Sequence, residues 1–174
     1  AGVRRPQRNF DVLTYSGDGG SARKLTGLEF KPDLIWFKCR STSQNHDLYD
    51  SVRGNTKRLI PNGTDTEATY SNLVQSFNVD GMTIGTAQEM NQSGQNFIAF
   101  CWKAGGSSNT FNVDGKGYAT AAEAGLSGGT GTITGASVNT EAGFSIIGYD
   151  THADASDKTY YHCLLYTSPS PRDE

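Results

Sequence analysis

The sequence is short of the residues that catalysis, metal binding and membrane crossing draw on. Histidine occurs three times, and two of those, His152 and His162, stand near the end of the chain. Cysteine also occurs three times, at 39, 101 and 163, too few and too scattered for a disulfide framework. No two of these are spaced as a zinc-ligand pair. Cys39 and Cys101 sit in apolar runs, where a thiol packs as a small hydrophobe. No apolar stretch is long enough to span a bilayer and no signal peptide is visible, so membrane insertion is not expected. A strong excess of charge of one sign is missing too. The net charge is −3 with no basic stripe, which excludes a nucleic-acid footprint. Arg4, Arg5 and Arg8 cluster only in a polar leader, residues 1–8. The chain begins at Ala1 without methionine, and its true start is expected upstream.

What is present is glycine, 21 residues, with eight tyrosines and eight phenylalanines. That mixture suits short strands joined by tight turns. The organising stretch is 30–40 (FKPDLIWFKCR). Pro32 fixes its own φ and biases Lys31 away from helix, so the chain leaves the turn extended. Alternation then puts Ile35, Phe37 and Cys39 on one apolar face. Leu34 and Trp36 share the other with Lys38 and Arg40, a face that passes from buried to wet. Residues 96–103 (NFIAFCWK) are apolar on both faces and read as a second, fully covered strand. Further strands are expected at 10–15, 48–54 and 57–60, and a hairpin across Val79, Asp80 and Gly81, where Asp-Gly separates two apolar runs. Residues 90–95 read as a loop. The expected domain is a single all-β unit over 9–105, an antiparallel β-sandwich. Its predicted core includes Val12, Leu34, Ile35, Trp36, Phe37, Phe77, Ile84, Ile98, Phe100 and Trp102.

Residues 106–142 are rich in Gly, Ala, Ser and Thr and read as a linker, with a weak short helix near 119–126. The opening pattern then returns. Phe144 to Tyr149 repeats Phe10 to Tyr15 at one common offset, which reads as the first strand of a truncated second copy, 143–162. Residues 163–173 match, in order, the peptide encoded by one frame of a sequencing-library adapter. The segment 163–174 is therefore set aside as a non-native tail.

Several stretches invite a chemical reading. Residues 17–24 (GDGGSARK) lack the glycine spacing of a phosphate loop, and Leu25 follows the lysine where Ser or Thr is needed, so a turn is expected. His46, Asp47 and Asp50 lack an oriented nucleophile or second ligand and read as a polar loop. Asp18, Asp80 and Asp114 each precede glycine, which marks turns rather than calcium loops. No enzyme, cofactor or metal is expected. Asp50 and Arg53 form either an ion pair pinning a loop or a polar rim for a ligand. Tyr49 stands beside the polar loop and could stack on a sugar ring. The candidate ligand site is Tyr49, Asp50, Arg53 and Asn91.

Residues 10–19 (FDVLTYSGDG), 25–40 (LTGLEFKPDLIWFKCR) and 47–54 (DLYDSVRG), followed in order by 76–81, 91–94 and 97–105, carry a family resemblance. The chain resembles tandem uncharacterised domains of tailed-phage virion proteins, often tail-fibre-like and from marine phages. Residues 135–139 (GASVN) and 142–149 (AGFSIIGY) fit the passage into a second related domain. Two positions depart from the pattern: Cys39 stands where a polar residue is usual, and Tyr149, Asp150 and Thr151 replace a Tyr-Thr-Gly turn. The resemblance implies a jelly-roll or concanavalin-like sandwich in the virion, made in the bacterial host cytoplasm. It implies a structural or adhesion module, with other virion or tail proteins as partners, host surface glycan as a candidate ligand, and a homotrimer as the assembly suited to a fibre. The alternative is a carbohydrate-binding module of a bacterial surface or secreted protein.

Overall fold

A computed structural model describes residues 6–126 and 129–150. The first five residues and everything from 151 on, including most of the expected second copy and the adapter-like tail, lie outside the described residues. Apart from a 3-10 turn at Pro6–Arg8 and a single short helix, α1 (Gln88–Asn91), the regular structure is all strand. The chain divides into two compact units, Ala1–Lys103 and Ala104–Glu174.

The first unit holds β1 (Phe10–Ser16), β2 (Arg23–Thr26), β3 (Leu34–Cys39), β4 (Asp47–Asp50), β5 (Gly54–Leu59), β6 (Ala68–Thr69), β7 (Val74–Asn78), β8 (Gly81–Ile84) and β9 (Asn96–Trp102). Six strands form one open sheet in the order β1-β9-β3-β4-β5-β6, and three form another in the order β2-β8-β7. Every pairing in both sheets is antiparallel. The Asp80-Gly81 signal closes the β7–β8 hairpin, with Asn78 opposite Gly81. Gly81 also packs against β2: a Cβ there would stand 1.9 Å from the Leu25 carbonyl oxygen.

One core lies between these sheets. Ile35 and Phe37 of β3, Tyr49 of β4 and Ala99 and Cys101 of β9 meet Leu25 of β2, Val74 of β7 and Met82 and Ile84 of β8, all buried. Each large apolar side chain removed from water here stabilises the fold by about 1.5–3 kcal/mol. The inner face of β3 is the one the alternation picked out, since Ile35, Phe37 and Cys39 are all buried. Phe77 packs against the same core from its edge.

The outer face differs from expectation. Trp36 is 37% exposed rather than core. Ile98, Phe100 and Trp102 are half-buried on the outer side of β9, as are Val12 on β1 and Leu34 on β3. β9 is therefore covered on one face, by Phe97, Ala99 and Cys101 pointing inward, and not on two. Phe10 and Phe100 pack on Trp102, and His46 packs on Trp36. The expected loop at 90–95 is entered through the last turn of α1, in which Met90 and Asn91 are buried.

In the second unit the expected linker contributes three strands to a sheet. β10 (Phe111–Val113), β11 (Lys116–Tyr118), β12 (Thr132–Asn139) and β13 (Phe144–Asp150) form an open sheet in the order β11-β10-β12-β13. The β10–β12 pairing is parallel and the others are antiparallel. Small residues were the reason for expecting a linker, yet here they form the core: Ala124, Leu126, Ile133, Ala136 and Val138 cluster with Phe111 and Ile147 packed on them. Residues 121–125 make hydrogen-bonded turns in place of the short helix, with Leu126 N–H donating to the Ala121 carbonyl at 2.8 Å. Phe144 to Asp150, expected to open a new domain, instead completes this sheet against β12. No second copy of the first unit is seen among the described residues.

Candidate functional site

The residues expected to bind ligand are held for other tasks. Tyr49 is fully buried, with its ring edge-on to Phe37 at 6.2 Å, so no sugar reaches its face. It alternates inward with Asp47, and that is the correction to its proposed stacking role. Asp50 is buried in the turn after β4. Its Oδ1 accepts the Val52 and Arg53 backbone N–H groups at 3.0 and 2.8 Å, and its Oδ2 accepts Arg53 Nε at 2.6 Å. Arg53 also reaches Glu67 at 3.1 Å. The two residues do meet, and they pin the β4–β5 connection rather than form a rim.

Asn91 is likewise consumed by the fold. Its Nδ2 donates to Asp18 Oδ1, the Gly20 carbonyl and the Gly85 carbonyl at 2.9–3.1 Å. Its Oδ1 accepts from the Asp18 backbone N–H and from Arg23. This is why residues 17–20 hold a fixed turn. The Gly20 N–H and the Asn91 amide stabilise the Asp18 carboxylate and lower its pKa.

A polar island sits at the inner end of β4. Asp47 Oδ1 accepts Arg58 Nε and Nη2, each at 2.7 Å, and Glu89 lies 3.7 Å from Arg58 Nη1. Burial dominates here: it pushes the Asp47 carboxyl up to about 6 against the pull of the Arg58 cation. Asp47 Oδ2 and the Tyr49 hydroxyl have no hydrogen-bond partner among the described residues. Burial raises the Tyr49 phenol far above its usual value. Among the described residues, no cluster of His, Cys, Asp and Glu suited to a metal is found.

Two hollows are found among the described residues, one of about 300 Å³ lined by Arg58, Ile60, Asp65, Thr66, Ala68 and Tyr70, and a more apolar one on the outer face of the six-stranded sheet. Register places Phe10 opposite Trp102, Val12 opposite Phe100, and on the other side of β9 sets Leu34, Trp36 and Lys38 against Trp102, Phe100 and Ile98. Directly opposed residues share a face, so these side chains form one continuous shelf. Phe10 and Trp102 ring centres lie 4.9 Å apart, and Phe100 and Trp102 6.5 Å apart. A hollow of about 350 Å³ lies on it, lined by Trp36, Lys38, His46, Ile98, Phe100 and Trp102. His46 closes one side: its ring centre is 5.7 Å from that of Trp36, and its Nδ1 accepts Trp36 Nε1–H at 2.9 Å. His46 is in turn positioned by its backbone N–H donating to Asn62 Oδ1 at 2.9 Å. Of His46, Asp47 and Asp50, then, only His46 lines the hollow; Asp50, opposite Leu34, shares the outer face but is held by Arg53.

The first reading of the residues assigned Trp36, Phe100 and Trp102 to the core. For Trp36 the signal was its sharing a face with Lys38 and Arg40, where a wet end belongs to a wet face; Phe100 and Trp102 carry no such signal in their own run.

Fold and site together define an all-β chain of two compact units that carries an aromatic shelf on one open sheet. The chain belongs to the family described as Domain of unknown function (DUF7483), whose model matches residues 5–169. That match runs through both units as one family domain and ends seven residues into the adapter-like segment. No curated protein and no solved structure matches the chain.

Proposed function

We propose that the chain is a non-enzymatic structural or adhesion module of a phage tail fibre or another virion appendage, and that its outer shelf holds a pyranose ring of host surface glycan. The observation that carries the binding reading is the solvent-facing row Trp36, Phe100 and Trp102 beside a hollow of about 350 Å³. A pyranose presents one face of C–H groups, and a flat indole offers matching apolar area at small conformational cost. Buried aromatics would strengthen the core instead. An exposed row of them lowers solubility, and such a patch marks an interaction surface.

The fold reading is an antiparallel β-sandwich of jelly-roll or concanavalin-like type, supported by the single core that the two sheets of the first unit share. The virion reading is supported by the resemblance carried by residues 10–19, 25–40 and 47–54. A carbohydrate-binding module of a bacterial surface or secreted protein would use the same shelf. Flanking capsid or tail genes favour the virion, and flanking polysaccharide-utilisation genes favour the alternative.

The test is a glycan array probed with the full chain beside W36A and W102A. Binding by the wild type, with loss of about tenfold or more in each variant at a temperature where its melt shows it still folded, is the expected result. A blank array, or binding indifferent to both substitutions, discards the shelf as a glycan site.

A further inference from the structure

We propose that the sugar taken by the shelf is acidic, a uronate or another pyranose bearing a carboxylate or sulfate; this rests on the glycan reading above. The hollow is lined almost wholly by apolar atoms, and the charged side chains on its face of β3 and just beyond it, Lys38 and Arg40, are both cations. Lys38 lines it, and its ammonium is steadied by donating to the Gln44 carbonyl. An ammonium has three N–H groups and no acceptor, so two remain for a ligand. Arg40 follows Lys38 by two residues and extends the ladder, its backbone N–H donating to the Asn96 carbonyl at 2.7 Å. Its exposed guanidinium is again donor-only.

His46 obeys the same rule for a subtler reason. Its Nδ1 is spent accepting Trp36 Nε1–H, so the neutral ring carries its hydrogen on Nε2. The Trp36 N–H, the one indole donor at the hollow whose acceptor is seen, is consumed by that same bond.

A neutral sugar draws no charge attraction from a cationic border. A carboxylate or sulfate needs donors alone. The charges agree. Among the described residues, none of Lys38, Arg40 and His46 is in an ion pair, and no Asp or Glu stands at an outward position of β1, β3 or β9. Of the nearby carboxylates on β4, Asp50 is held by Arg53 at 2.6 Å, and Asp47, which also feels the Lys38 charge, is held by Arg58 at 2.7 Å. A cationic rim on a chain of net charge −3 is not a reflection of bulk composition. Apolar shelf and donor rim together fit a ring with one C–H face and one anionic edge.

The full chain is titrated with galacturonate hexasaccharide and with the same oligomer carboxyl-reduced to galactose, and screened on an array holding sulfated, sialylated and neutral glycans. Acidic glycans are expected to bind and their neutral counterparts not. K38Q should weaken acidic binding about tenfold, and added salt should weaken it further. W36A should abolish it, and thermal melts show whether each variant remains folded. If neutral glycans bind as well as acidic ones and W36A removes both, the acidic assignment falls and the shelf reading stands. Acidic binding that survives W36A lies elsewhere on the chain and overturns the proposal. If no glycan binds, or the shelf instead mediates a dimer that W36K dissolves, both readings fall.

Discussion

Tyr49 and Asp47 sit two residues apart on the inner face of β4, and each carries a buried polar atom with no described partner. A hydroxyl left without a hydrogen bond costs about 1–3 kcal/mol of desolvation. Tyr49→Phe is therefore expected to leave stability unchanged or raise it by up to about 1 kcal/mol, read as the denaturant midpoint at constant slope. A loss of more than 1 kcal/mol would mean that the hydroxyl has a partner. Asp47 makes a pH prediction. Its folded pKa, about 6, lies above the ordinary carboxyl value of 3.8, so the folded state holds this proton more tightly than the unfolded chain. The associated stability is fully present below pH 3.8 and is lost as pH rises through about 6. The loss is on the order of 2–3 kcal/mol. Asp47→Asn should remove this component, so the difference between wild-type and variant stability changes across that window and flattens above it. A difference independent of pH between 4 and 7 would show that Asp47 stays ionised throughout.

Among the elements, the β2–β8–β7 sheet depends on a close approach at Gly81, where a side-chain carbon would collide with the Leu25 carbonyl. Backbone on both sides leaves no flexible atom to yield. Gly81→Ala is expected to cost about 1–3 kcal/mol in thermal or denaturant unfolding, while Val79→Ala, at an 81%-exposed position in the same hairpin, should cost little. Equal effects would place the strain elsewhere. This hairpin was readable in advance because Asp80 and Gly81 between apolar runs admit few other backbones. The inner face of β3 was readable for a similar reason: three alternate apolar residues with no polar interruption. The outer face was not. Trp36, Phe100 and Trp102 are as apolar as any core residue, and periodicity alone does not tell a second buried face from a solvent-facing one. Tyr49 failed in the opposite direction, because its polar neighbours in sequence, Asp47 and Asp50, are themselves buried and paired. β10 to β12 were missed since Ala136, Ser137 and Gly135 carry little hydrophobic signal, although small side chains pack a strand closely.

At the scale of the whole molecule, the first unit's core is drawn from residues 25–101 and the second unit's cluster from residues 111–147. All nine strands of the first unit find their ladder partners before Lys103. A chain ending at residue 103 is therefore expected to unfold cooperatively and to keep an aromatic near-ultraviolet signal. A fragment that binds hydrophobic dye and lacks that signal would show that the first unit needs the rest of the chain. β9 lies between β1 and β3, and β1 has no other neighbour in its sheet. Growing from a ribosome, the opening strand must then wait, without a mate, until about ninety more residues have been made. Its exposed Phe10 and Val12 would be at risk of capture by another nascent copy during that interval. Translation speed over residues 17–95, more than the final stability of the molecule, is thus expected to govern how much of it is recovered correctly folded.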